Sequence, residues 1–314
     1  MVPFPPLSTS GPTSVPTSGP TLGPTSGPTL GPTSGPTAGP TSGSTSLSSF
    51  ADGLATAAKV FAPASTELQN RRELLRRVDT KYVCFRDLAH GLLAELATSY
   101  VALPVASGNI ATYQSMYFDT PERRCFHDHR RGRRLRHKIR IRHYPDRRLS
   151  FLEVKTKRNE VVTDKRRLAL GFGATTLGTA EQQFLREIVP FSVEELRPVL
   201  QIDFLRLSLL ALGSSERVTL DFELSAHERE GARWTFGERA VIEVKQAPFC
   251  VRTPIMRALA AAGLREQSMS KYTIATAMMH PELRRNRLLP DLRALRDQRT
   301  PRDSRDLDPT RMST

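Results

Sequence analysis

The run Arg134-Leu135-Arg136-His137-Lys138-Ile139-Arg140-Ile141-Arg142-His143-Tyr144 decides the fold. Leu135, Ile139 and Ile141 alternate with Arg134, Arg136, Lys138, Arg140 and Arg142. Successive Cβ atoms of a strand point to opposite faces, so this run is a strand with one apolar and one cationic face. The pattern recurs. Leu152 and Val154 alternate with Glu153, Lys155 and Lys157, and Leu168 and Leu170 stand opposite Lys165 and Arg167. Val218, Leu220 and Phe222 alternate with Arg217, Thr219, Asp221 and Glu223, and Ile242 and Val244 with Glu243 and Lys245. Three acid-x-Lys units, Asp79-x-Lys81, Glu153-x-Lys155 and Glu243-x-Lys245, fall on separate strands. Cations stacked on one face repel unless an anion bridges them. If the sheet closes with that face inward, the lumen is a cationic tunnel suited to several phosphates. A polar face simply open to water is the alternative.

Outward from this run, alternation predicts strands at about 77–83, 112–119, 134–144, 149–157, 161–170, 199–209, 217–226 and 240–246. Helical spacing predicts helices that start near Ser65 or Thr66 and cover about 88–96, 180–188, 254–262 and 271–279. The expected fold class is α+β, an antiparallel eight-stranded tunnel-like β-barrel with flanking helices over residues 64–280. Residues 1–63 open with a Gly/Pro/Thr/Ser repeat of period four that has nothing to bury, and are expected to be disordered. Residues 281–314 mix arginines with aspartates and read as a solvated, disordered tail, although Leu288, Leu289, Leu292 and Leu295 are spaced for one short helix.

The 46 basic residues exceed the 32 acidic ones by 14. Only eight of the 46 are lysine, and seven of those eight fall in the strand-like or site-like stretches. Such an excess also suits nucleic acid. Binding single strands would call for aromatic stacking platforms, whereas aromatics are 7% and Trp234 is the single Trp, so nucleic acid is not expected as a partner. The longest apolar stretch, 204–212, is too short to span a bilayer and contains Arg206. Cys84, Cys125 and Cys250 are odd in number and lack Cys-x-x-Cys spacing, which excludes a disulfide scaffold and suits a reducing cytoplasm. No secretory signal is evident, so the expected location is cytoplasmic. His127-Asp128-His129 lacks further ligands and is expected in a turn. Gly171 and Gly173 read as loop, since no Gly-Lys-Ser follows.

Taken in order, Val78-Asp79-Thr80-Lys81-Tyr82, Tyr117-Phe118-Asp119-Thr120, Lys138 to Tyr144, Phe151-Leu152-Glu153-Val154-Lys155, Lys165-Arg166-Arg167, Phe204-Leu205-Arg206, Arg217 to Asp221, Val241-Ile242-Glu243-Val244-Lys245 and Ser270-Lys271-Tyr272 resemble the VTC domain in its bacterial form. This is the polyphosphate-polymerase domain of the vacuolar transporter chaperone type, within the triphosphate tunnel metalloenzymes. The resemblance covers about 200 residues. It implies that Lys81, Arg140, Arg142, Lys155, Lys165, Arg206, Arg217 and Lys271 hold phosphates in catalysis and that Glu243 holds the divalent metal. Lys138, Arg167 and Lys245 lie on the same stripes and are expected to assist in binding. Asp79 stands where the family usually has Glu, and Phe204 where a Tyr commonly precedes the Arg.

Phosphoryl transfer asks for positioning and charge neutralisation, and Mn²⁺ or Mg²⁺ needs only one or two carboxylates beside the phosphates. The expected activity is transfer of the ATP γ-phosphoryl group to a polyphosphate chain, so ATP or another triphosphate and polyphosphate are the expected partners. Triphosphate hydrolysis and binding without turnover are the alternatives. Hydrolytic relatives carry Glu-x-Glu-x-Lys, whereas Phe151 and Val241 occupy the first acid position here. Among the acids, Glu153 is expected to pair with Lys155 and Lys157 on its own strand, leaving Glu243 freer for metal. A membrane-protein partner, through which the domain would associate with a membrane, is implied by the resemblance alone.

Overall fold

The computed structural model describes residues 53–54, 56–70, 78–158, 163–229 and 231–296. Its first half runs α1 (Thr66–Asn70), β1 (Val78–Phe85), α2 (Arg86–Leu96), β2 (Tyr100–Ala102), β3 (Ile110–Asp119), α3 (Arg124–Arg131), β4 (Arg136–Tyr144), β5 (Leu149–Lys157) and β6 (Thr163–Leu170). There follow α4 (Thr179–Arg186), β7 (Arg197–Ala211), β8 (Arg217–His227), β9 (Arg233–Thr235), β10 (Arg239–Gln246), α5 (Pro254–Ala261), α6 (Lys271–Met279) and α7 (Leu289–Arg296). Each predicted strand is present, and the short β2 and β9 are additional.

The strands form one sheet in the order β1-β10-β8-β7-β3-β4-β5-β6, with β2 on β7 and β9 on β8. Every pairing is antiparallel. This corrects the expected eight-stranded barrel: among the described residues the sheet is open, and its edge strands β1 and β6 do not pair with each other. The sequence of β6 supplies the reason. Asp164, Lys165, Arg166 and Arg167 follow one another, so β6 presents charge on both faces and is exposed along most of its length. Charged, exposed edge strands resist pairing with another edge.

The apolar stripe of β1, β10, β8 and β7 buries Tyr82, Ile242, Val244, Leu220, Leu207 and Leu209 against Leu92, Leu93 and Leu96 of α2 and Leu259 of α5. The corresponding stripe of β4 and β5 buries Ile139, Ile141, Leu152 and Val154 against Leu185 of α4 and Val189. Both helical layers therefore lie behind the charged face. A third cluster joins Tyr113, Tyr117 and Phe204 to Tyr272, Ile274 and Ala277 of α6.

His127-Asp128-His129, expected in a turn, lies in α3. The buried Asp119 carboxylate anchors this helix by accepting from the backbone N–H groups of Cys125 (2.8 Å) and Phe126 (2.9 Å) and from the Tyr272 hydroxyl (2.6 Å). Within the stretch expected as a tail, α7 forms and buries Leu292. At the other end, Leu54 and Phe61, N-terminal to the expected boundary at residue 64, are buried in the first cluster. The period-four repeat and residues 297–314 lie outside the described residues. Among the described residues, no helix is long and apolar enough to cross a membrane.

Candidate functional site: the charged face

Strand register carries the alternation from one strand to the next. Lys81 pairs with Glu243, and Lys245 with Arg217. Lys138 pairs with Lys155 and Lys155 with Lys165, while Arg140 pairs with Glu153 and Glu153 with Arg167. Arg206 pairs with Asp221, and Arg142 lies opposite Ser115. Directly opposed residues share a face. One face therefore gathers Lys81, Lys138, Arg140, Arg142, Lys155, Lys165, Arg167, Arg206, Arg217, Glu243 and Lys245. Lys271, the remaining predicted residue, reaches it from the first position of α6, a helix capped by the Ser270 side chain, which accepts from the Thr273 N–H (3.4 Å).

Three buried or half-buried carboxylates organise these cations. Glu153 (2% exposed) accepts from Arg140 at 2.9 and 2.6 Å, lies 2.5 Å from Lys165, and has Arg142 at 3.8 Å. Its partners come from β4 and β6, not from the neighbouring lysines of its own strand, because Arg140 stands directly opposite it. Asp221 accepts from Arg206 and from Lys271. Glu243 pairs with Lys245 at 2.5 Å and with Lys81 at 3.5 Å, so it is less free than its own strand suggests. Among the described residues, no group of three His, Cys, Asp or Glu is placed to hold a metal ion.

Aromatic rings complete the face. Tyr113 stacks on Phe204 with centroids 5.1 Å apart. The Arg142 and Arg206 guanidiniums sit over Tyr113 at 5.3 and 4.8 Å, and the Lys271 ammonium lies 4.9 Å from the Phe204 ring. Arg140 donates to the Tyr117 hydroxyl (3.1 Å), and Arg142 to the Ser115 hydroxyl (3.1 Å). At position 204 the ring does its work without a hydroxyl, as a surface for cations. These aromatics and Asp221 were not among the predicted site residues. Parity with the charged stripes was a signal for all of them, and Tyr117, Phe204 and Asp221 also stood within the family-like motifs.

Burial by itself would raise the carboxyls, but the clustered cations reverse this. Arg140, Arg142 and Lys165 hold Glu153 well below the usual carboxylate range, Lys245 and Lys81 do the same for Glu243, and Arg206 and Lys271 hold Asp221 at about 2. Burial lowers Lys245 to about 8 despite Glu243 beside it. Among the described residues, no carboxylate is in ion-pair contact with Lys138 or Lys155, although the charges of Glu243 and Asp79 reach Lys155. Burial, then Lys155 and Lys81, push Lys138 well below the usual lysine range, and burial and Lys81 lower Lys155. Although Lys81 lies on an edge strand far along the sheet order from β4 and β5, its charge acts on both.

The three depressed carboxyls dictate an acid response. Their stabilisation is fully present above the unfolded carboxyl values of 3.8 and 4.5 and is lost as pH falls through the lower folded values. The urea midpoint is expected to fall progressively from about pH 5 down to about pH 2. A flat profile across that range would show that the acids gain nothing from their cations.

The VTC domain model matches residues 76–280, and the chain belongs to the VTC domain family, within the triphosphate tunnel metalloenzyme superfamily. No curated protein matches it. Similar solved structures include the candidate adenylyl cyclase HpAC1 of Hippeastrum, whose structure is described as revealing a dominant triphosphatase activity. It shows 14% identity and a TM-score of 0.45 over 65% of this chain and 96% of that one. A candidate adenylate cyclase from Vibrio parahaemolyticus shows 15% identity and a TM-score of 0.37 over 63% and 95%.

Proposed function

We propose that the charged face binds a linear oligophosphate, the triphosphate of ATP or a polyphosphate chain. The observation that carries this reading is the surplus of cations on one face. Three carboxylates engage seven of them, and among the described residues Lys138 and Lys155 remain adjacent with no carboxylate in ion-pair contact. A chain of phosphates supplies negative charge at a spacing that single carboxylates do not, and its contacts to Arg and Lys are charge-assisted.

Phosphoryl transfer on this face is a second reading, favoured by Glu243. Its side chain is 16% exposed, against 2% for Glu153 and 1% for Asp221, so it is the most accessible of the three acids. The donor set fits a divalent cation only as one carboxylate beside phosphate oxygens, with Lys81 or Lys245 yielding its contact. When bound there, Mn²⁺ or Mg²⁺ supplies charge neutralisation at the phosphoryl oxygens. Arg140, Arg206 and Lys271, fixed by their acids, hold the chain in line, and the Tyr113–Phe204 pair keeps the guanidiniums from collapsing onto one another. The acceptor is read from the products of ATP with Mn²⁺. Acid-insoluble polymer means transfer to a chain, free phosphate alone means hydrolysis, and unconsumed ATP leaves binding as the function.

Calorimetry with tripolyphosphate tests the binding reading. Lys138→Met is expected to weaken affinity about 10- to 100-fold, the loss of one charge-assisted contact, while urea stability holds or rises because a repelled cation is removed. Binding is also expected to take up protons at about pH 8, where Lys245 is partly neutral and a polyanion recharges it. Affinity therefore falls as pH rises. Equal affinity in Lys138→Met, with no buffer dependence of the binding heat, would overturn the reading.

A further inference from the structure

On the reverse side of β4 lies a cavity of about 270 Å³ between α3, the 133–135 turn and Pro190–Phe191. It is lined by Arg124, Arg133, Arg134 and His137, with Asp128 as its one acid. Asp128 is already taken, lying 3.1 Å from Arg133. Arg124 lies over the Phe191 ring at 4.8 Å, and its charge is felt by His137. Arg134 is exposed, and its side chain makes no hydrogen bond or ion pair with the described residues.

His137 gives the cavity its chemistry. The residue is 4% exposed, its Nδ1 lies 3.0 Å from the Thr156 hydroxyl, and its Nε2 is buried without a hydrogen-bond partner. An unsatisfied buried nitrogen costs free energy and calls for a partner. If the Thr156 hydroxyl donates to Nδ1, Nε2 carries the proton; if Nδ1 donates, Nε2 gains a proton when an anion arrives. In both cases Nε2–H donates to an oxyanion. The position beside Lys138 points to the other face, so this cavity is separate from the charged face. Burial, Arg124 and Arg158 hold His137 below the usual histidine range while Asp128 opposes them, so an anion here would displace an electrostatic balance that already disfavours the imidazolium.

We propose that this cavity is a second, small oxyanion site that takes a phosphate group, as inorganic phosphate or as the end of a phosphate chain, between His137 Nε2 and the Arg124 and Arg134 guanidiniums. The site stands independently of the oligophosphate reading of the front face.

Imidazole ¹⁵N spectra of the full chain test it, with the His137 signals identified by their loss in His137→Gln. Titration with inorganic phosphate is expected to move those signals saturably. Arg134→Gln, a change at an exposed side chain, is expected to raise the phosphate dissociation constant at least about fivefold through loss of a charge-assisted contact. Lys138→Met is expected to leave the His137 response unchanged while it weakens tripolyphosphate binding on the front. Movement with inorganic phosphate assigns free phosphate, and movement with tripolyphosphate alone assigns a chain end; either supports the site. His137 signals unmoved by both anions up to about 20 mM, well beyond a millimolar site, would overturn it. So would an unchanged dissociation constant in Arg134→Gln, or a His137 response abolished by Lys138→Met.

Discussion

Glu153→Gln is expected to lower the unfolding free energy by about 3–5 kcal/mol, the cost of removing one partner from a buried ion cluster. The side chain keeps its volume, so the loss is electrostatic. Arg140, Arg142 and Lys165 converge on this carboxylate and are left facing one another without it. Arg140 retains the Tyr117 hydroxyl and Arg142 the Ser115 hydroxyl, which hold them near the same place. A phosphate chain can supply the missing charge. Tripolyphosphate should therefore raise the thermal midpoint of Glu153→Gln more than that of the wild type. Chemical denaturation measures the loss of unfolding free energy, and thermal melts with and without tripolyphosphate measure the shift. A loss below about 1 kcal/mol, the value of an exposed pair, would mean that solvent screens the cluster.

On the phosphoryl-transfer reading, Glu243→Gln is expected to reduce ATP turnover at least about a hundredfold, the usual value of an electrostatic group at a transferring phosphoryl. Two cations meet on Glu243, so removing its charge also frees Lys81 and Lys245. Tripolyphosphate binding without metal should hold or strengthen, because both lysines become available to phosphate. Mn²⁺ bound in the presence of tripolyphosphate, followed by electron paramagnetic resonance, should weaken. This pair of opposite responses separates a metal ligand from a structural ion-pair partner. If Glu243 only orders the stripe, stability falls while the Mn²⁺ titration of wild type and variant coincides.

The face of most strand positions was legible because side-chain direction is a local property of extended backbone. Strand β8 breaks the alternation at Glu223, where φ is +49° and the apolar stripe passes, at Leu224 and Ala226, from the first cluster to the third. Arg140, Glu153 and Glu243 fall on the charged stripe by parity alone, and parity survives any arrangement of the strands. Helix α6 was likewise legible from helical spacing over 271–279; its cap, Ser270, was not. Helix α3 was not. Its sequence is charged almost throughout, and the group that fixes it, Asp119, is supplied by the preceding strand with Tyr272 from far along the chain.

What belongs to the sequence by itself is the alternation, the surplus of cations and the family of motifs that carries them. Closure of the sheet and the partner of each charge belong to the tertiary structure. Whether β6 meets β1 depends on two edges placed by every strand between them, and the charge on both faces of β6 leaves its outer edge unpaired among the described residues. Glu153 takes Arg140, directly opposed to it on β4, and Lys165, diagonal to it on β6, and both contacts exist only once β4 and β6 lie on either side of β5. Parity is written into the local backbone. Pairing is decided only once distant segments lie side by side.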